Sequence, residues 1–360
     1  MLKENEVLDK GIQALEESLS AVPGLTIDRK ASFQGDGEPD YLVKVRGPGY
    51  AQSLIIEVKS QGTPKMIRGA VNSLLLYLQK EPDAYGVVIA PYISSGSAQI
   101  CDQAGIGYLD LSGNQKIAFQ QLFILRENYP NQFPYKASIA SLYSTKSERI
   151  LRVLLTFPFQ TWKTLELAKC AEVSPGMITH VRKKLADQEW IQSSHDGFQL
   201  TQPDDLLQDW SEHYAFDRNQ TFDYYSLKSP SEIENDLAEL CVQNKIEYAL
   251  TGFSAANRLA PMTRNQRAMI YVGGDLSHIA DQAGLKPVTS GANVTLVSPY
   301  DDGVFWKSEE VLGIRVATPI QVYLDLQKNR GRGEEAAQFL FKEVIQKVWE
   351  KQKSITMHSL

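Results

Sequence analysis

The sequence has 360 residues, of which 43% are hydrophobic and 22% are charged, and its net charge is −6. This length predicts two or three domains. The acidic balance excludes a protein that coats nucleic acid with its whole surface, so any contact with DNA must be local.

Targeting and redox features are consistent with one another. No apolar run is long enough to cross a bilayer, and the charged N-terminus has no apolar signal core behind it. The three cysteines, Cys101, Cys170 and Cys241, are too widely spaced for a metal site, and their odd number argues against a disulfide framework. These features predict a cytoplasmic protein.

The first third of the chain predicts a sheet domain. Its predicted elements, in order, are a helix at 6–21, strands at 25–30, 41–45 and 54–58, a helix at 63–79 and a strand at 85–90. The last strand is apolar without alternation, which is typical of a strand buried on both faces. The order α-β-β-β-α-β indicates an α/β or α+β domain.

Three residues of this sheet are candidates for chemistry: Asp40, Glu57 and Lys59. Side chains alternate along a strand, so Glu57 and Lys59 share a face, and the hairpin between Asp40 and Glu57 brings the first carboxylate near the second. Two carboxylates can hold Mg²⁺, and a nearby lysine can position the attacking water or offset transition-state charge. The alternative is a charged strand edge on which Glu57 pairs with Lys59 or Arg68.

This spacing resembles the PD-(D/E)XK nuclease superfamily over roughly 6–90. The resemblance implies that Asp40 and Glu57 are metal ligands and that Lys59 is the catalytic lysine, with Mg²⁺ as cofactor if the site is active. A carboxylate of the first helix would join them, and the candidates are Glu6, Glu16 and Glu17. Such domains also serve as DNA-binding or scaffold modules, so the fold alone does not imply cleavage.

Residues 127–144 are expected to link this domain to a compact helical segment at 146–201. The segment predicts helices at 147–157, 163–171 and 175–188, with Leu165, Leu167 and Ala168 inward on the second. Strands at 190–193 and 198–201 follow, around a His195-Asp196-Gly197 turn. Ser174 is a good N-cap and Pro175 suits the first helical position. Three helices and a hairpin in this order resemble a winged helix-turn-helix, whose third helix enters the major groove of DNA.

The outer face of the third helix is the predicted DNA-binding surface. Its 3.6-residue period places Ile178, Val181 and Leu185 inward. The predicted DNA-binding residues are Thr179, His180, Arg182, Lys183 and Lys184 on the helix and His195 on the hairpin. Eight basic and six acidic residues give 146–201 a charge of +2, which favours nucleic acid as its partner. The alternatives are a solvated face of a linker domain and a winged helix that binds protein.

The C-terminal part predicts helices at 206–214, 230–244 and 333–351 and strands at 268–272 and 294–298, with Ser229 or Ser231 as a cap. Between the helix at 230–244 and the strand at 268–272, Gly252 and Ser254 follow a strand and begin a helix, which resembles the nucleotide loop of a nucleotidyltransferase. Transfer needs two acidic residues, one apart, on the next strand, and 269–272 has none. We therefore predict a degenerate, inactive nucleotide loop.

The run 251–256, Ala260-Pro261, the segment 110–114 and the winged segment together resemble AbiEi-type antitoxins of type IV toxin–antitoxin systems. This resemblance implies a DNA-binding autoregulator encoded beside a nucleotidyltransferase-like toxin. We predict an α/β multidomain chain, divided at 1–143, 144–202 and 203–360, that binds double-stranded DNA and requires no cofactor. The alternatives are a Mg²⁺-dependent nuclease that holds DNA with the winged helix, and a protein-binding scaffold.

Overall fold

The computed structural model describes residues 2–32, 39–133, 142–261, 266–329 and 332–357. The chain is a mixed α/β protein that divides into two compact units, one of 1–139 with 184–189 and one of 140–183 with 190–360. The predicted domain boundaries after 143 and 202 stay predictions. Of the predicted linker at 127–144, residues 134–141 lie outside the described residues. In the described part of the chain, no helix is long and apolar enough to span a membrane.

The first unit is built on a seven-stranded sheet whose strands follow one another in sequence order from β1 to β7. β3, β4 and β5 run parallel, and the remaining neighbours are antiparallel. The elements are α1 (Glu4–Ser20), β1 (Thr26–Ser32), β2 (Tyr41–Gly47), β3 (Tyr50–Val58), α2 (Pro64–Leu78), β4 (Tyr85–Ala90), α3 (Ser95–Gln103), β5 (Gly107–Asp110), β6 (Gln115–Phe119) and β7 (Leu122–Arg126). Through β4 their order is the predicted one.

Both faces of this sheet are covered. Val87 and Ile89 of β4 pack in one core cluster with residues of α1, whereas Val88 and Ala90 pack in the other with residues of α2 and α3. A strand buried on both faces needs apolar residues at successive positions, which explains the run that predicted β4.

The predicted three helices and hairpin come next and belong to the second unit, except for 184–189, which groups with the first. They are α4 (Thr145–Thr156), α5 (Thr164–Cys170), α6 (Pro175–Asp187), β8 (Ile191–Ser194) and β9 (Gly197–Leu200). One expectation for α5 is wrong, because Leu165 is 71% exposed while Leu167 and Ala168 are buried. Two residues along a helix turn by about 200°, so Leu165 and Leu167 cannot share its inward face.

The rest of this unit surrounds a second seven-stranded sheet, ordered β13-β10-β14-β12-β11-β16-β15. Its elements are α7 (Pro203–His213), β10 (Gln220–Tyr225), α8 (Pro230–Gln243), β11 (Tyr248–Leu250), α9 (Gly252–Leu259), β12 (Ala268–Val272), α10 (Leu276–Gln282), β13 (Lys286–Pro287), β14 (Val294–Ser298), β15 (Glu309–Val311), β16 (Ile314–Val316), α11 (Pro319–Gln327), α12 (Arg332–Leu340) and α13 (Gln346–Met357). Ser229, rather than Ser231, caps α8. A π-helical turn, Phe341–Ile345, interrupts the predicted C-terminal helix.

Candidate functional site

The sheet of the first unit brings Asp40, Glu57 and Lys59 together. The Lys59 ammonium nitrogen lies 2.6 Å from Glu57 Oε1, and Asp40 Oδ2 accepts the backbone N–H of Val58 at 2.6 Å. The Glu57 and Lys59 side chains are only 12% and 20% exposed. Burial raises the pKa of Glu57, its hydrogen bond to Lys59 opposes that rise, and the charge of Asp40 adds to it.

Of the three carboxylates expected from the first helix, Glu6 and Glu17 make hydrogen bonds within the helix or its cap, and a further one, Glu4, influences Glu57. Glu4 is the α1 residue whose charge raises the pKa of Glu57. Glu6 instead accepts the Lys3 N–H within a capping box, and Glu17 accepts a hydrogen bond from Gln13. The helix begins two residues earlier than its apolar period indicated, which is why Glu4 was missed.

The hydrogen bonds of Asp40 and Glu57 limit the oxygen atoms that are available to bind Mg²⁺ at this site. Mg²⁺ needs near-octahedral oxygen ligation, usually from one or two carboxylates completed by water or phosphate. One oxygen of Asp40 is taken by a backbone N–H and one of Glu57 by Lys59. Within the residues that the structure describes, no group of three or more histidine, cysteine or carboxylate side chains is arranged to hold a metal ion.

The predicted DNA-binding residues occupy α6 and the tip of the hairpin. Thr179, His180 and Lys183 are exposed on α6, opposite the buried Ile178, Val181 and Leu185. His195 is fully exposed at the hairpin turn.

Two of the predicted residues are less available for contact with DNA. Arg182 donates to Ser193 Oγ at 3.0 Å and lies 5.2 Å from the centre of the Phe198 ring, so it ties α6 to the hairpin. Lys184 is partly buried, and burial lowers its pKa.

Two arginines counted in the basic segment face inward. Arg149 pairs with Asp301, through contacts of 2.7 and 3.0 Å, and with Glu172. Arg152 is 1% exposed and donates twice to the amide oxygen of Gln321. The charge of +2 therefore overstates what this segment presents to a partner.

The Gly252 loop is filled by the protein itself. Gly252 has a φ of +54°, and a Cβ there would lie 2.7 Å from Met269 Sδ, so a larger residue would be strained and would displace the Met269 side chain. Ser254 is 1% exposed, and its hydroxyl accepts the Met269 N–H and donates to the Arg267 carbonyl. These contacts join α9 to β12.

A buried polar network near this loop was not anticipated. Asp325 of α11 is fully buried, and burial raises its pKa to about 6. Its carboxylate accepts hydrogen bonds from Tyr214, Thr251, Tyr271 and Gln321. The sequence could have indicated this network, because Gln321 and Asp325 are four residues apart on a largely apolar helix. Residues at this spacing lie on the same helical face.

Part of the second unit matches a known protein family. A family model described as "Transcriptional regulator, AbiEi antitoxin, Type IV TA system" matches residues 199–346. None of the curated proteins and none of the solved structures matches the chain. The matched range contains the Gly252 loop and Asp325 and begins at the end of the β8–β9 hairpin. It supports the predicted similarity to AbiEi antitoxins for this part of the chain.

Proposed function

We propose that the protein is a DNA-binding transcriptional regulator of the AbiEi antitoxin type, and that 144–202 is its winged helix-turn-helix. The observation that carries this proposal is the family match at 199–346, which begins at the end of a hairpin that follows three helices. The exposure of Thr179, His180 and Lys183 on the third helix supports the same function.

On this proposal α6 lies in the major groove and the hairpin follows the backbone. Thr179 and His180 would contact bases or phosphates, Lys183 would neutralise a phosphate, and His195 would lie near the backbone. An open concavity of about 450 Å³ beside the start of α6 is lined by Lys146, Lys169 and Ser174 and also by the carboxylate Glu172.

The partner on this proposal is a cognate toxin, because the matched family is described as the antitoxin of a type IV system. We propose that the C-terminal region binds or assembles and does not transfer nucleotides. The lack of acidic residues at 269–272 supports this, as does the enclosure of Ser254. The regulator itself requires no cofactor.

The test is to incubate the protein with DNA that carries its own promoter, with and without Mg²⁺. We expect the protein to reduce the electrophoretic mobility of this DNA with or without Mg²⁺. An excess of unrelated DNA should displace the promoter DNA only weakly. The absence of any shift would contradict regulation and favour the protein-binding scaffold.

A second candidate function is a Mg²⁺-dependent nuclease. The observation that favours it is the grouping of Asp40, Glu57 and Lys59 on one sheet. The same incubation separates the two candidates, because a nuclease would cut the DNA only with Mg²⁺. Loss of that cutting in Glu57→Ala would assign it to this site.

A further inference from the structure

Arg149 of α4 contacts two parts of the second unit at once. Its guanidinium binds both oxygens of Asp301 and also reaches Glu172 Oε2 at 2.9 Å. The Arg149 side chain is 13% exposed and that of Asp301 is 6% exposed. A bidentate arginine–carboxylate pair fixes geometry as well as charge, and partial burial strengthens it.

Each partner of Arg149 holds a defined place. Asp301 belongs to the region that matches the AbiEi family, and its Oδ1 also accepts the Gly303 N–H. Glu172 lies in the turn between α5 and α6, with a left-handed φ of +53°. A left-handed residue after a helix end is a common cap, and here the N–H of Glu172 donates to Lys169 O and the N–H of Val173 donates to Ala168 O. Arg149 therefore links the matched region to the turn that immediately precedes α6.

The helix that carries Arg149 is itself fixed to the matched region. Arg152, one turn further on, binds Gln321, and Glu148 accepts hydrogen bonds from Arg218 and Tyr300. Every residue of α4 from 147 to 155 is buried except Arg149, so all sides of this helix are in contact with the protein. A helix packed in this way cannot shift without breaking several contacts, so it is a firm base for the turn.

We propose that Arg149 is a positioning residue for DNA binding, which holds the turn at Glu172 against Asp301 and thereby sets the orientation of α6. This inference rests on the proposed function, because α6 must bind DNA for its orientation to matter. Arg149 itself does not touch DNA in this arrangement.

The test compares DNA affinity, its salt dependence and thermal stability in Arg149→Met, Asp301→Asn and Glu172→Gln. We expect Arg149→Met and Asp301→Asn to bind promoter DNA roughly ten-fold more weakly, within the usual range of coupling between sites. Glu172→Gln should bind about two- to five-fold more weakly, because an exposed ion pair is weaker than a buried one. The slope of log affinity against log salt should stay unchanged, because no phosphate contact is lost. Arg46→Met, which removes an exposed arginine of the first unit, is the matched control.

Glu172→Gln is the decisive variant, because its side chain is 73% exposed and its loss should leave the fold intact. Removing a negative charge near DNA would by itself strengthen binding, whereas positioning predicts weaker binding. The loss should also disappear when Glu172→Gln is made in the Arg149→Met background.

Three results have distinct meanings. Equal or tighter binding by Glu172→Gln overturns the inference and leaves the proposed function standing. A salt slope lowered by about one in Arg149→Met also overturns it, because that change marks a direct phosphate contact. If the unchanged protein binds no DNA, the proposed function fails and this inference fails with it.

Discussion

Arg152 and Asp325 are joined by a single side chain, the amide of Gln321. The amide oxygen accepts from Arg152 at 2.7 and 2.9 Å, and the amide nitrogen donates to Asp325 at 2.9 Å. A positive group on one side and a carboxylate on the other fix the direction of the amide. The contact between Arg152 and Gln321 thus connects α4 to α11 across 169 residues of sequence.

The first prediction concerns the pH dependence of stability. Burial raises the pKa of Asp325 to about 6, above the value of about 3.9 expected in an unfolded chain. The folded state therefore binds this proton more readily, so the contribution of Asp325 is greatest below pH 4 and is lost as the pH rises through 6.

Asp325→Asn should remove this dependence. At each pH we subtract the free energy of unfolding of the variant from that of the unchanged protein. As the pH is lowered from 7.5 to 4, this difference should increase by about 3 kcal/mol. Urea unfolding across this range measures the difference, with Asp281→Asn as an exposed control. Parallel curves for the unchanged protein and Asp325→Asn would contradict the prediction.

The second prediction concerns Arg152, whose guanidinium also lies 5.3 Å from the centre of the Trp210 ring. Arg152→Met keeps much of the side-chain volume but leaves the Gln321 oxygen without its two donors. We expect the free energy of unfolding to fall by about 2–3 kcal/mol, the scale of a lost hydrogen bond to a charged group. Chemical denaturation measures this, and a loss below 0.5 kcal/mol would show that the network adds little.

How far the sequence predicts this protein depends on how local each signal is. β4 was predicted because an unbroken apolar run marks a strand covered on both faces. The proximity of Glu57 and Lys59 was predicted from their two-residue spacing, although β3 ends at Val58 and Lys59 lies just beyond it. β10 was missed because all but one of its residues are exposed, so it lacks an apolar pattern. Arg152 and Asp325 carried no pairwise signal, because only the tertiary fold brings such distant residues together.

The surface charge of the helical segment was predicted less accurately from the sequence than its helices were. Arg149 and Arg152 look like members of a basic surface in the sequence, yet both side chains are directed into the protein. A helix covered on several faces must bury some of its charged residues, and composition alone does not say which. The period of α6, in contrast, correctly separated exposed Lys183 from buried Val181.

The third prediction concerns Lys183, which is exposed on α6. If it neutralises a phosphate, Lys183→Glu should weaken DNA binding and reduce the slope of log affinity against log salt by about 0.9. Fluorescence anisotropy at several salt concentrations gives both quantities. Lys10→Glu, an exposed lysine on α1, is the control and should change neither. Unchanged affinity and slope in Lys183→Glu would remove this helix from the interface.

The final prediction concerns the cation at the sheet site, which is either Mg²⁺ or the ammonium of Lys59. Two nearby carboxylates repel, and burial makes the charged form of Glu57 costlier still. Lys59 lies 2.6 Å from Glu57 and supplies a positive charge without a metal. We therefore expect Mg²⁺ to leave the melting temperature unchanged, and Lys59→Ala to destabilise this unit by about 1–3 kcal/mol, because it leaves a buried carboxylate without its donor.

Thermal unfolding with and without Mg²⁺ distinguishes the two cases, because an ion that binds only the folded state stabilises it by mass action. Asp40→Asn serves as the matched variant. If Mg²⁺ raises the melting temperature of the unchanged protein and Asp40→Asn removes that gain, the metal occupies the site. Cutting of DNA that requires Mg²⁺ and disappears in Glu57→Ala would show that the metal serves a reaction as well as stability. The nuclease would then be the better explanation of the first unit.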